Sequence, residues 1–578
     1  MNSLLPSAPA VAPTRPAHRA AGKKSLLDSV ADPGRRRWWG LAALCLGVLL
    51  VGIDNTIVNV ALPTIGRDLN ASISDLQWVV DGYTLVFATL LLLAGHLGDR
   101  FGRRRLLLIG LAVFAATSIA ASFATSTPAL IAGRAAMGIG AAMIFPATLA
   151  LLVALFADRR ERAAAIGVWS GVTGLSVALG PIGGGLLVEH FSWSAVFLVN
   201  VPLAAIAIVA TRLLVRESRD PQPGRFDPLG AFGSMVGVGL LVWTIIEAPG
   251  HGWGSAVTVA GLAGSVTALA AFVWWEVRRP DPLFDVTLFA NARFSAASGA
   301  IAAAFFGLFG FIFLITQYFQ VVRGYGVLEA GVATLPFAVV IGSLSPVAIL
   351  GMKRFGTTAV VAAGLALMSA GFVLAAGSAV DSAYWGRIVI SMVLMAAGLA
   401  LTSGPATEAI MGALPASRTG AGSAVNDTTR EIGGTLGVAI VGSVMNSVYG
   451  SALVESLSGT PVPPAAVQAA SRSVTGGFRV AALLPPAEAG TVVTATSDAF
   501  VSGLSAGSWV AAGATAIAAM AVLLFLPARH RDAVDGQHAR PDTARAGAAA
   551  GRHAAHVTPP GEPISTRAPR TPAVPDRR

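Results

Sequence analysis

The chain has 578 residues, of which 54% are hydrophobic and 12% charged, with a formal charge of +10 and a mean hydropathy of +0.69. Soluble domains carry about 25% charge, and a soluble core of this length would leave the surplus apolar surface exposed in large patches; a soluble fold is excluded and lipid is required as solvent. The single cysteine, Cys45, excludes an intramolecular disulfide and a cysteine-based metal site.

Residues 1–37 are rich in Ala and Pro with scattered basic residues, which predicts a disordered basic cytoplasmic arm. They lack the apolar core and cleavage site of a signal peptide. Runs of the ~20 apolar residues that a spanning helix needs then fall at 38–62, 77–98, 105–125, 128–156, 163–188 and 195–215. A second group lies at 228–248 and 255–276, and six more at 293–320, 328–351, 358–379, 385–411, 419–448 and 502–527. The expected fold is an all-α integral membrane protein of about fourteen helices. The expected divisions are a six-helix bundle over 38–215, an inserted pair with linkers over 216–292 and a second bundle over 293–527. An extracytoplasmic loop at 449–501 and a disordered cytoplasmic tail over 528–578 complete the scheme.

The positive charge follows the membrane rather than nucleic acid. Loops after even-numbered helices hold Arg100, Arg103, Arg104 and Arg105, then Arg159, Arg160 and Arg162, then Arg216, Arg219 and Arg225. Arg278, Arg279, Lys353, Arg354 and Arg418 continue the series, whereas loops after odd-numbered helices are nearly free of them. By the positive-inside rule both termini are cytoplasmic and the helix count is even. Arg100-Phe101-Gly102 after helix 2 and Arg354-Phe355-Gly356 after helix 10 suggest two related six-helix sets.

Three of the charges within the apolar runs fall in one layer in the outer half of the membrane. Helix 1 runs outward from about Trp38, placing Asp54 ~24 Å along it, and helix 4 runs inward from about Thr127, placing Arg134 ~10 Å below the outer surface. Asp81 in helix 2 comes to a similar depth. Intramembrane ionisable residues are costly and mark functional sites. We therefore expect Asp54 as the main proton-coupling carboxylate, Arg134 as its partner and Asp81 as a second acid. A carboxylate beside an arginine can exchange that arginine for a proton or a cationic substrate.

The loop after helix 2 reads Gly95-His-Leu-Gly-Asp99-Arg100-Phe-Gly102-Arg103-Arg104. It resembles the signature loop of the major facilitator superfamily. Its glycines suit close approach and a tight turn, and Asp99 can pair with an arginine or face a helix N-terminus. Helix 5 carries Gly167, Ser176, Gly180-Pro181 and Gly183-Gly184-Gly185. It resembles the antiporter motif of drug:proton exchangers, with Ser176 at the place of a glycine; small residues there permit close helix packing and Pro181 a kink. Asp54 to Pro63, Trp78 to Tyr83, Arg134 to Gly140 and Arg430-Glu431-Ile-Gly433-Gly434 are similar to the fourteen-helix drug:proton antiporters, the QacA/EmrB-like group.

The resemblance covers roughly residues 38–527 and implies two six-helix bundles around a central cavity plus two inserted helices. It further implies proton-coupled export of small amphiphilic or cationic compounds by alternating access across a bacterial cell membrane. The partners expected are the lipid bilayer, protons and a small-molecule substrate. No cofactor beyond the proton gradient, no nucleic acid and no obligate protein partner is expected, and the chain is not read as an enzyme. Asn59, Tyr83, Gln317 and Gln320 are candidate cavity residues, and Glu408, Asp427, Arg430 and Glu431 candidate gate residues near the inner mouth. The helix 9 aromatics Phe305, Phe306, Phe309, Phe311, Phe313 and Tyr318 are expected mainly to face lipid, and Glu247 and Glu276 to sit at the interface. A dedicated exporter of a self-made compound and a receptor without transport are the alternatives.

Overall fold

The computed structural model describes residues 33–219, 227–280, 282, 284–413 and 419–526; most of the expected arm and the tail from 528, with Arg225 and Arg418, lie outside them. Six spans come first: α1 (Pro33–Asp68), α2 (Ile73–Phe101), α3 (Arg103–Ser122), α4 (Thr127–Leu155), α5 (Arg159–His190) and α6 (Ala195–Leu214). The inserted pair is α7 (Pro228–His251) and α8 (Ala256–Arg278). Next come α9 (Ala292–Val322), α10 (Val327–Phe355), α11 (Thr357–Ala376), α12 (Tyr384–Gly412) and α13 (Thr419–Ser456). Two short helices, α14 (Pro464–Ser471) and α15 (Val474–Leu483), lead to α16 (Pro486–Phe525). Among the described residues, thirteen helices are long and apolar enough to cross a membrane, and α5, bent by 40° near residue 178, makes a fourteenth if counted as one span. The bend has a local cause. Pro181 has no N–H to give the carbonyl of Val177 four residues back.

Helix ends follow the residues that can satisfy them. Ser72 and Asp75 form a reciprocal capping box at the start of α2. Asp227 accepts the Gly230 N–H at 3.0 Å and opens α7 just ahead of Pro228. Gly102 ends α2 at φ +112° and Gly356 ends α10 at φ +86°, a region where only glycine is comfortable. Each follows an arginine stacked on an exposed phenylalanine, Arg100 on Phe101 at 5.7 Å and Arg354 on Phe355 at 5.5 Å. The three-residue repeat of the sequence is thus a repeated hairpin.

Helices α1–α6 pack as one bundle and α9–α13 with α16 as another. The bundles meet at the ends remote from the arginine-rich loops. There Gln77 of α2 donates to the carbonyls of Val438 and Ala439 at 3.1 and 3.0 Å and to Ser443 Oγ at 3.3 Å. Gln320 of α9 donates to the carbonyl of Val60 at 2.8 Å, and Glu189 of α5 accepts the Leu328 N–H at 3.2 Å. The inserted pair is not peripheral. Val242 and Ile246 of α7 form a separate apolar cluster with Leu85 of α2 and Ala439 of α13, and Trp78 donates to Glu247 at 3.0 Å.

Three expectations need correction. The segment 449–501 is largely helical: α13 runs on to Ser456, and α16 begins at Pro486. Its early turns are too polar for a hydropathy window, yet Val492, Ala495, Ala499 and Phe500 repeat at helical spacing and are buried. The helix 9 aromatics mostly face protein rather than lipid, with Phe309, Phe311, Phe313 and Tyr318 at most 6% exposed. Glu276 is 1% exposed and accepts the Phe284 N–H at 3.1 Å, so it is a buried tie between α8 and the following loop.

Candidate functional site

The two charges that the depth argument placed in one layer are in contact. Arg134 Nη1 donates to Asp54 Oδ2 at 2.6 Å, and both side chains are fully buried. Each is held from several sides. Arg134 Nε donates to the Val79 carbonyl at 3.0 Å, and its guanidinium lies 4.2 Å from the Tyr83 ring centroid. A cation over an aromatic face gains about 2 kcal/mol when desolvated. Asp54 Oδ1 accepts from Asn200 Nδ2 at 2.8 Å, and Asn200 donates also to Ser118 Oγ at 3.0 Å. Sequence reasoning missed Asn200; a lone amide within an apolar run was the available signal.

Asp81 is fully buried but belongs elsewhere. Among the contacts described, Asp81 Oδ1 receives Thr84 Oγ1 at 3.4 Å, and its Oδ2 has no hydrogen-bond partner. Its neighbours on the helix face, Gln77 and Thr84, both bond α13, the latter through Thr435 Oγ1 at 3.0 Å. Residues two apart on a helix are turned by ~200°. Tyr83 therefore covers Arg134 while Asp81 looks across the seam between bundles.

On the α13 side of that seam, Glu431 lies beside Asn55 of α1, and Asn426 donates to Asp427 at 3.3 Å. Arg430 turns from both acids toward Thr407 at 3.1 Å and Ser403 at 3.4 Å, and stacks on Phe305 at 5.1 Å. Glu408 is exposed and makes none of these contacts. Asn59 and Gln317 are buried and bond carbonyls of their own helices, Asn55 and Phe313. Gln320, in contrast, bridges the bundles.

The signature loop is closed by a residue that sequence reasoning did not single out. Asp99 pairs with Arg103 at 2.8 Å, while Glu217 accepts the N–H groups of Arg104 and Arg105 at 2.9 and 3.2 Å. The anion at the N-terminus of α3 is thus Glu217, arriving from beyond α6. A Cβ on Gly102 would stand 2.9 Å from the Glu217 carboxyl carbon, whereas Gly95 has open space around it. Arg100 makes only its stacking contact among those described.

The glycines of α5 serve two partners. Ser176, fully buried, bonds the Thr173 carbonyl at 2.7 Å and lies against Gly52 of α1. Gly180 lies against Thr56, and a Cβ on Gly184 would be 2.9 Å from Ile57 Cγ1. Gly185, one residue round, faces the other bundle, with the Leu328 Cα at 2.7 Å from such a Cβ. The Pro181 carbonyl likewise lies against Gly331 of α10. Gly167, nearer the arginine-rich end, has nothing within 4 Å of its Cβ direction.

Residues 44–438 match the sequence profile of the Major Facilitator Superfamily. The chain is 39% identical to the multidrug efflux pump LfrA of Mycolicibacterium smegmatis, over 82% of this chain and 94% of that protein. It is 35% identical to the tetracenomycin C resistance and export protein of Streptomyces glaucescens, over 85% and 91%. Among solved structures it is similar to a bacterial homologue of the human lysosomal transporter Spinster in an inward-facing conformation, with a TM-score of 0.58, 20% identity and coverage of 85% and 98%. That last likeness speaks to the fold.

Proposed function

The chain belongs to the major facilitator superfamily, and we propose that it exports small amphiphilic or cationic compounds in exchange for protons. As a member of that superfamily it is a multi-pass membrane transporter. The observation that carries the proton-coupled reading is the buried Asp54–Arg134 pair at 2.6 Å, one residue along from Asn55 at the seam. Removing a buried charge from its partner is strongly unfavourable, so a change of charge on Asp54 cannot leave the packing of α1 indifferent.

The proposed cycle uses the seams. With the arginine-rich end cytoplasmic, the ties of Gln77, Gln320 and Glu189 join the bundles on the outer side, and the inner side is the one open to substrate in this scheme. A substrate enters from the cytoplasm or inner leaflet. The ties of Gln77, Gln320 and Glu189 then part, the outer mouth opens, substrate leaves and a proton reaches Asp54. Asp81, buried, and Glu431, half-buried, both at the α2–α13 seam, are further proton-carrying acids in this scheme. The loop of Asp99, Arg103 and Glu217 holds the inner end of α2 to α3 during the motion.

The name of the Streptomyces relative favours a second reading, a dedicated exporter of one self-made compound. Efflux of a panel of dyes and antibiotics from a pump-deficient host, with and without an uncoupler, separates the two. Breadth of substrates with uncoupler sensitivity supports the first; a single exported compound supports the second; uncoupler-insensitive efflux refutes proton exchange.

A further inference from the structure

We propose that Asn200 is a positioning residue that reads the protonation of Asp54 and transmits it to α6 and α3. The inference rests on Asp54 being the coupling carboxylate, and goes beyond it by assigning the group that responds.

The geometry leaves Asp54 with one charged and one neutral partner. Oδ2 takes the Arg134 guanidinium at 2.6 Å, and Oδ1 takes the Asn200 amide at 2.8 Å. Asn200 is fully buried at the head of the second segment of α6, Asn200–Leu214. Its two amide hydrogens go to Asp54 Oδ1 and to Ser118 Oγ, and the Ser118 hydroxyl in turn donates to the Phe197 carbonyl at 2.9 Å. The direction of this chain is fixed from end to end. Asn200 Oδ1 meanwhile has no hydrogen-bond partner, an unfavourable state for a buried acceptor.

An amide beside a carboxyl group can respond to a proton because it has a donor end and an acceptor end. A carboxylate accepts from the NH2 group. When a proton arrives and an O–H bond forms on Asp54 Oδ1, the same site becomes a donor facing a donor. Turning the Asn200 amide brings the unused Oδ1 toward the new O–H. No proton leaves or joins Asn200. The turn carries the NH2 group off Ser118 Oγ, which loosens the link between α3 and α6 beside the proton site. Arg134, being a donor in every state, cannot make this distinction.

The test is the pH profile of substrate–proton exchange in proteoliposomes for Asn200→Leu, of similar size but unable to hydrogen-bond. Expected is retained substrate binding, within about twofold of wild type, with the half-maximal pH moved upward by about one unit because ionised Asp54 has lost a donor. A variant that folds, binds substrate and keeps the wild-type profile overturns the proposal, since a merely packing role would alter melting alone. If Asn200→Leu does not fold, the wild-type protein with 13C-labelled asparagine is compared at acid and alkaline pH by infrared difference spectroscopy. An asparagine amide band that moves on acidification and is missing in Asn200→Ser is expected; no moving amide band overturns the proposal. Proton-coupled efflux by Asp54→Asn would instead remove the premise, so the two failures are distinguishable.

Discussion

Asp54 of α1 and Arg134 of α4 are joined at 2.6 Å in a fully buried ion pair, and Asn55, the next residue of α1, lies beside Glu431 of α13. A rotation of α1 that disturbs one contact disturbs the other. Asp54→Asn is expected to insert normally and lose proton-coupled efflux. The uncompensated Arg134 would lower stability by about 3–5 kcal/mol. Adding Arg134→Met should restore the melting temperature but not efflux. Efflux in the double variant would show that the pair is structural.

The outer seam must part in any alternating cycle, and Ser74 and Asn446 lie on its two sides, with Nδ2 to Oγ at 3.3 Å. In a Cys45→Ala background, Ser74→Cys with Asn446→Cys should form a disulfide on oxidation. Transport is expected to fall more than tenfold and to return on reduction. Unimpaired transport by the crosslinked protein would mean that this seam stays shut throughout the cycle.

Gly102 combines a φ of +112° with a Cβ direction blocked by Glu217. Gly102→Ala is expected to cost about 1–3 kcal/mol and to reduce the melting temperature in detergent. Glu217→Ala relieves the blockage but not the backbone strain, so the double variant should recover only part of the loss. Full recovery would assign the whole effect to the side chain.

The α1–α5 crossing offers no room at Gly180, which lies against Thr56. Gly180→Leu should abolish folded protein, while Ser176→Gly, which removes a hydroxymethyl group whose oxygen is bonded to its own helix, should stay within about 1 kcal/mol of wild type by the usual scale of such changes. Size-exclusion profiles of the two variants check this.

Asp227, outside the spans, supplies a pH test of the inserted pair. Burial pushes its carboxyl up, but the Gly230 N–H, the Trp275 indole and the Arg279 guanidinium together outweigh this and hold it below its ordinary value. Such a group adds stability that is complete above about pH 4 and is lost as pH falls through its folded value. Asp227→Asn should remove that part of the acid dependence of melting. An unchanged acid limb would show that other carboxyls govern it.

Depth was legible in the sequence and direction was not. Counting 1.5 Å per residue put Asp54 and Arg134 in one layer, and they touch. The same count put Asp81 beside them, but its helix turns it toward α13, where Gln77 and Thr84 are also bonded. Asn200 and Glu217 act through hydrogen bonds between segments far apart in the chain, and local pattern does not name the partners of such bonds. Helix α16 was found short because apolarity, rather than periodicity, was the criterion for its first turns.

The seating of α7 over both α2 and α13 makes the molecule's two flanks chemically unequal. On the α2–α13 flank, annular lipid meets the joint through the apolar wedge of Val242 and Ile246. On the opposite flank, α5 and α10 have no such helix across them among the described residues and carry exposed side chains such as Leu175 and Val347, 52% and 51% exposed. Fluidity of the surrounding acyl chains therefore acts directly on one joint and through a proteinaceous gasket on the other.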